Sequence, residues 1–449
     1  MIKDYTTGPL FRRLLVFAWP FVISNLLQAA YNLADMVIVG RMIGTAGLSA
    51  VSIGTDLVHL YMLFGMGLCE AGQILVSQYV GLRDREGISN IIGVLITAVG
   101  LLSVAVTVAG LLLLDTWMTL LSVPAEALAD CRAYTLCCTA GTVFQYGYTM
   151  VAAVLRGLGD SKRPMLIVTI SSVLNILLDW VFIRLGMGAF GAALATVLAQ
   201  AVSFAVICVY LLRRKDSLGF DLGRRYLWPD KKYTALLVKL GIPMMLQGCA
   251  ISISTLYISA CVNAYGVAVS AISGVGQKLT SIINIITQSM RQAAAVVIGQ
   301  NFAARKFTRV KQTVWIALSI NLVFAAIFSA ELWLWPRETF ALFNKSEDML
   351  ALCGGYVPFV ILTIFGCATR SPSNALCNGM GFPRMNFILG ILDGVVMRIG
   401  LSWLLGRVLG YELTGYWLGS ALAGFAFFVV MFPYFLSGRW RRRAPPVLR

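Results

Sequence analysis

The sequence predicts an all-α polytopic membrane protein, with twelve transmembrane helices in two pseudo-symmetric six-helix bundles. Three observations predict it. Of the 449 residues, 59% are hydrophobic and only 12% are charged. Long apolar runs recur along the chain: Ile88 to Leu114 holds 27 residues without a charge, where ~20 suffice to cross a bilayer. The two halves also match each other at a nearly constant offset of 222–224 residues.

The spans fall near 12–36, 46–76, 88–114, 128–154, 165–185 and 190–212, then 236–262, 267–299, 313–336, 350–377, 386–407 and 414–437. Twelve spans at ~20–25 residues each use most of the chain and leave room only for short loops. The stretch from Arg213 to Tyr233 is the longest and most charged connection. It divides the chain into an N-terminal bundle (1–212), a cytoplasmic linker (213–233) and a C-terminal bundle with a basic tail (234–449).

The duplication rests on matched residues. Leu14-Leu15-Val16 pairs with Leu236-Leu237-Val238, Pro20 with Pro243, and Gly54 with Gly276. Gly157 and Gly159 pair with Gly379 and Gly381, Trp180 and Arg184 with Trp403 and Arg407, and Thr196 with Ser420. Each match alone is weak, but a steady offset over a whole half marks a repeated unit. Six helices is an even number, so both copies insert in the same sense, related by an axis along the membrane normal, with a substrate path expected between them. Pro20, Pro243, Pro358 and Pro372 lie within spans, where a proline kinks a helix or shapes its packing.

A net charge of +16 is compatible with nucleic-acid binding, but its distribution points to a membrane. Lys and Arg concentrate on one side, in the N-terminus (Lys3, Arg12, Arg13), the 213–233 linker and the tail from Arg439 to Arg449. The opposite side carries few, among them Arg41, Arg184 and Arg337. That asymmetry places both termini in the cytoplasm of a multi-pass plasma (inner) membrane protein. Met1 to Arg13 is polar and shows no cleavable leader pattern. The cysteines lie mostly in apolar segments without a CxxC pair, and His59 is a lone histidine, so no metal site and no cofactor is expected.

Against this background two carboxylates stand out. Asp35 lies inside the first apolar segment, and Asp179 lies in the fifth, four residues after Asn175. A charge at the centre of a spanning helix costs roughly 2.5–3.5 kcal/mol on insertion scales and usually marks an ion or substrate pathway. Tyr31 and Asp35 share one helix face, as do Asn175 and Asp179. If the faces meet, two acids converge that cannot both ionise cheaply unless a cation enters. The second half lacks a copy: Ile258 stands opposite Asp35, and Arg398 and Ser402 stand opposite Asn175 and Asp179.

Other polar positions carry weaker expectations. Asp56 and Lys278 occupy matching places in the two halves and either pair as an outer gate or are ordinary interfacial charges. Glu70 either attracts a cationic substrate or is a packed, hydrogen-bonded acid. Met62, Phe64, Met66, Gln145 and Tyr146 suit a promiscuous apolar cavity, or are packing. Arg370, Asp393 and Arg398 are candidates to partner one another, but Asp393 and Arg398 are five apart, a poor spacing for an α-helical pair, and no role is assigned to them.

The string Tyr31-Asn32-Leu33-Ala34-Asp35-Met36-Val37-Ile38-Val39-Gly40 resembles the first helix of the multidrug and toxic compound extrusion (MATE) transporters. So do Leu155-Arg156-Gly157-Leu158-Gly159-Asp160-Ser161-Lys162, Asn175 to Asp179, and Val76-Ser77-Gln78-Tyr79. The resemblance covers essentially the whole chain and is nearest the bacterial and archaeal, DinF-like branch with its first-half acidic site. It implies export of small hydrophobic or cationic compounds, driven by H+ or Na+, by a protein whose other partner is the lipid bilayer. It carries the cation site to Asp35, Asn175 and Asp179, with Tyr31 nearby and Thr196 on the sixth helix. Thr149 stands where the family often has asparagine; it still offers an oxygen and completes the expected coupling set, with the ion preference left open between H+ and Na+. A sister branch uses acids in the seventh and tenth helices, but Pro243 to Thr255 and Phe359 to Asn374 contain neither Asp nor Glu.

The expected function is therefore a secondary-active exporter working by alternating access, functional as a monomer and without a nucleic-acid partner. The alternative is a flippase or exporter of lipid-linked or other polar lipids. No phosphate-cradling GxxxxGK[ST] string is present, and nothing beyond the aspartates supplies an enzyme's reacting groups.

Overall fold

A computed structural model describes residues 3–228 and 230–448. Met1, Ile2, Pro229 and Arg449 lie outside the described residues, Arg449 among them although it counts with the basic tail. The described residues are helical almost throughout and contain no strand. Twelve long helical segments follow in order: α1 Leu10–Met42, α2 Gly44–Leu82, α3 Arg85–Leu112, α4 Ala125–Gly157, α5 Lys162–Arg184 and α6 Gly188–Arg214. The second half gives α7 Lys231–Asn263, α8 Val267–Ala303, α9 Phe307–Leu334, α10 Cys353–Met380, α11 Pro383–Val408 and α12 Glu412–Leu436.

Eleven of these are long and apolar enough to cross a membrane. The exception is α4, which opens on Glu126, Asp130 and Arg132 and is rich in Thr, Gly and Tyr. Its small and polar side chains are those that let helices approach closely and bond across a bundle. Helical winding throughout is what a bilayer demands, since hydrocarbon offers no partner to an unpaired backbone group.

Packing divides the chain into two units, one of Met1–Asp4 with Trp19–Gly241 and one of Tyr5–Ala18 with Ile242–Arg449. The first turns of α1 thus count with the second unit, and the first turns of α7 with the first, which the division at 212 and 234 does not anticipate. In the second unit the chain before α1 is clasped by polar groups. Gln300 Oε1 accepts from Tyr5 N at 2.9 Å, Lys306 Nζ donates to Thr6 O at 2.9 Å, and Arg309 donates to Tyr5 O and Gly8 O at 2.9 and 3.0 Å.

The sequence repeat is a structural repeat, built by the same close approaches. A Cβ on Gly157 would sit 2.7 Å from Gln73 O, and one on Gly379 2.7 Å from Ala295 O. Likewise Gly54 faces the Tyr134 ring and Gly276 the Tyr356 ring. α2 and α8 are each followed, within two residues, by an arginine with positive φ, Arg83 at 59° and Arg305 at 55°. After Arg83 the Asp84 side chain caps α3 by accepting from Gly87 N at 2.9 Å.

The halves differ in α11. After Pro383–Ile391 it winds as a π-helix over Leu392–Leu401 and again over Leu404–Val408. It also lies tight against α7, since a Cβ on Gly394 would stand 2.9 Å from the Ala250 carbonyl.

Because backbone atoms define the Gly157 and Gly379 contacts, neither neighbour can rotate away. Gly157→Val and Gly379→Val should each destabilise the protein by about 1–3 kcal/mol, the usual cost of overpacking. Thermal unfolding of the detergent-solubilised protein measures this, and a wild-type Tm in both variants would contradict the tight approach.

Candidate functional site

The acidic site is assembled within the first unit from α1, α5 and α6. Asp179 is fully buried and Asn175, one turn before it, is buried too. Tyr31 and Asp35 are half-buried on α1, and Thr196 is half-buried on α6. Oriented to satisfy its neighbours, the Asn175 amide nitrogen donates to Asp179 Oδ2 at 2.8 Å and to the Tyr31 hydroxyl oxygen at 3.2 Å. Its oxygen accepts from the Thr196 backbone N–H at 3.0 Å and from the Thr196 hydroxyl at 3.2 Å. One asparagine therefore ties three helices to one carboxylate.

Asp35 and Asp179 lie within hydrogen-bonding reach of each other. Among the described residues, neither Asp35 Oδ1 nor Asp179 Oδ1 has a donor. Two ionised carboxylates are acceptors only, so a facing pair without a donor repels unless a proton or a cation lies between them. Carboxylate, amide, phenol and hydroxyl oxygens are hard donors that suit either H+ or a small monovalent cation. The site is thus able to hold one positive charge and to be destabilised by losing it.

An apolar cluster adjoins it on the same helices. Val39 lies one turn beyond Asp35, Ile183 one turn beyond Asp179, and Ala192 and Ala193 one turn before Thr196. These pack with Val51, Tyr134, Cys138 and Ala189. The cluster excludes water from the Arg184 end of the site and so keeps the local dielectric low. Tyr134 and Cys138 of α4 stand close enough to the acids to feel their charge, and the Tyr134 hydroxyl pairs with Thr55 Oγ1 at 3.0 Å. In the sequence Cys138 reads as a small apolar packing residue and Tyr134 draws no expectation, although their i, i+4 spacing is the same signal that Tyr31–Asp35 and Asn175–Asp179 give.

The remaining expected positions make other contacts. Thr149 donates to Gln145 O of its own helix at 2.8 Å, and no bond joins it to the acids among the described residues. Gln145 is half-buried. Tyr146 does not line an open surface: it is fully buried, its hydroxyl donates to Tyr61 O at 2.5 Å, and its ring fills the space beside Gly65. Met62 is buried while Met66 and Phe64 are exposed; Met62 and Met66 share a helix face, so only the first of the two turns is covered. Glu70 stands within electrostatic reach of Arg156, whose guanidinium lies over the Phe21 ring at 5.8 Å. Asp56 and Lys278 are exposed, each in its own unit.

A duplicated, wholly helical bundle with a buried acidic cluster defines a polytopic membrane transporter. The chain belongs to the MatE family, whose model matches residues 20–181 and again 243–404. The two matched stretches restate the internal repeat. The chain is 26% identical over 439 residues to the probable multidrug resistance protein YoeA of Bacillus subtilis, covering 96% of this chain and 94% of that one. It is 27% identical to the probable multidrug resistance protein YpnP of the same organism, over 98% and 97% of the two chains. Among solved structures, an outward-facing multidrug resistance MATE family transporter of the MOP superfamily superposes with a TM-score of 0.85 at 25% identity, over 96% of both chains. A MATE in the straight conformation superposes equally well, with a TM-score of 0.85 at 25% identity over 96% of both chains. The protein is a multi-pass membrane transporter and not an enzyme.

Asn175 carries most of the polar order in the cluster. Asn175→Leu should lower stability by about 1–3 kcal/mol, because it strips a buried carboxylate of its donor. A Tm in detergent equal to that of wild type would show that the amide does not hold Asp179.

Proposed function

We propose that the protein exports small hydrophobic and cationic compounds across the plasma membrane in exchange for H+ or Na+, with Asp35 and Asp179 as the coupling site. The observation that carries this proposal is the pair of facing carboxylates from α1 and α5 with no donor between their free oxygens. The names of the curated relatives, probable multidrug resistance proteins, support the substrate class. The alternative of a polar-lipid flippase gains nothing from them. The strong bias of Lys and Arg supports cytoplasmic termini.

The cycle follows from electrostatics. With the site open to the outside, a cation enters between the two carboxylates and removes their repulsion. α1, α5 and α6 then close around a neutral cluster, and the drug-binding cavity loses affinity for its cargo. Facing inward, the cation leaves, the acids repel again, and the cargo-binding arrangement returns. A cation drives this only by the difference in its affinity for the two arrangements. Coupling of 1–3 kcal/mol, the ordinary range, corresponds to about a 5–150-fold effect. The transporter operates as a monomer in this scheme, since one chain supplies the whole coupling site.

The test is efflux of a cationic dye, ethidium, from proteoliposomes, with a proton gradient and a sodium gradient imposed separately. Asp35→Asn and Asp179→Asn should insert normally and lose gradient-driven efflux by about tenfold or more. Wild-type efflux in both variants overturns the coupling assignment, and the gradient that drives wild type names the ion.

Thr149 provides an internal control. Thr149→Val removes only a bond within its own helix, so efflux should stay within about twofold of wild type, as for a substitution that spares the transport step. A loss as deep as that of Asp35→Asn would place Thr149 in the site after all.

A further inference from the structure

The second unit holds a charged cluster of opposite sign, in which Arg398 occupies the position that matches Asn175 of the acidic site. Asp393 is fully buried, and Arg370 Nη2 of α10 stands 2.7 Å from its Oδ2, an ion pair without hydrogen-bond alignment. Arg398 Nη2 of α11 approaches Asp393 Oδ1 at 3.5 Å. Five residues separate Asp393 from Arg398, a spacing that fails in an α-helix. It succeeds here because Leu392–Leu401 is wound as a π-helix, whose bonds run from i to i+5. The Arg370 guanidinium also lies over the Phe427 ring at 5.6 Å, which fixes its plane.

The charges do not balance. Two guanidinium groups share one carboxylate, and no second acid stands among the charged groups around Arg398 within the described residues. Arg398 Nε is buried without a hydrogen-bond partner among the described residues. Asp393 thus leaves one positive charge uncompensated in a spanning segment, where hydrocarbon penalises it. Arg370 and Arg398 keep 21% and 14% of their side-chain surface open, so the cluster is reachable. A planar fork with free N–H groups is matched to an oxyanion. A clamp serving packing alone would be better made from one arginine and one acid.

We propose that Arg370 and Arg398 form an anion-binding site for an organic oxyanion, a carboxylate or phosphate carried on an amphipathic molecule, with Asp393 as the built-in competitor that occupies the arginines when no ligand is bound. The ligand's oxyanion pairs with Arg398 and shares Arg370 with Asp393. The protein would then accept zwitterionic and anionic compounds as well as cationic ones. This goes beyond the coupling site in the first unit and does not depend on it.

The experiment is equilibrium binding of carboxyfluorescein, an anionic probe, and of ethidium, a cationic one, to the purified full chain in neutral detergent, followed by fluorescence anisotropy. Wild type should bind carboxyfluorescein, and Arg398→Gln should weaken it by about tenfold or more, as removal of one partner of a buried charge pair does. Arg398→Lys should restore part of the loss, and ethidium binding should not change. Asp393→Asn, which removes the competitor, should tighten carboxyfluorescein by about threefold or more. That gain is the signature a purely structural cluster would not give, and it carries the test if Arg398→Gln does not fold. No binding by wild type, unchanged binding in Arg398→Gln, equal losses for both dyes, or no tightening in Asp393→Asn would each overturn the proposal. Adding phosphatidylglycerol to the micelles separates the sources: displacement of carboxyfluorescein assigns the oxyanion to a lipid headgroup, and persistence assigns it to a solute. Because no gradient is applied, failure here leaves the coupling proposal standing.

Discussion

Close approach of helices through residues without side chains is the constraint on which the rest of this structure depends. Lipid is as apolar as leucine, so helices in a bilayer gain little from hiding apolar surface and are held instead by contact and by polar bonds between them. Gly157 and Gly379 bring α4 and α10 against the carbonyls of Gln73 and Ala295. Gly54 and Gly276 receive the rings of Tyr134 and Tyr356. Once the helices are that close, a buried hydroxyl or amide on one reaches the next, as Ser171 Oγ reaches Ala199 O at 3.0 Å and Trp417 Nε1 reaches Ser273 Oγ at 3.1 Å.

That shared scaffold makes the asymmetry of charge informative. The same helical positions carry Asn175 and Asp179 in the first half and Arg398 and Ser402 in the second. In the first unit an acid pair lacks a positive partner, and in the second a pair of arginines has half the acid it needs. Each cluster sits where desolvation is expensive, and in the two proposals above each takes a ligand of the opposite sign. A duplicated bundle thereby carries two chemically different clusters on one repeated plan, with α11 rewound as a π-helix around the second.

The helices and the repeat were legible because both are written in local pattern: apolar runs of spanning length, and identities at one offset. The acidic site was half legible. Tyr31–Asp35 and Asn175–Asp179 announce their faces by i, i+4 spacing, but that the two faces meet, and that Thr196 closes the group through Asn175, follows only from the approach of α1, α5 and α6. Thr149 donates to a carbonyl of its own helix, a bond that its position alone does not reveal. The spacing of Asp393 and Arg398 was misleading because α-helical geometry was assumed where the backbone is π-wound.

By itself, then, the sequence determined the membrane class, the number of long helices, their duplication and the presence of two acids that hydrocarbon would reject, since each depends on residue type and spacing along one chain. Only the tertiary structure decided which of those groups face each other, that the first turns of α1 and α7 pack with the opposite units, and that Tyr146 is interior. It also decided that Arg370 joins Arg398 on one carboxylate. The physical reason is that spacing sets the face a residue occupies on its own helix, whereas the partner it meets depends on how closely several helices are allowed to come.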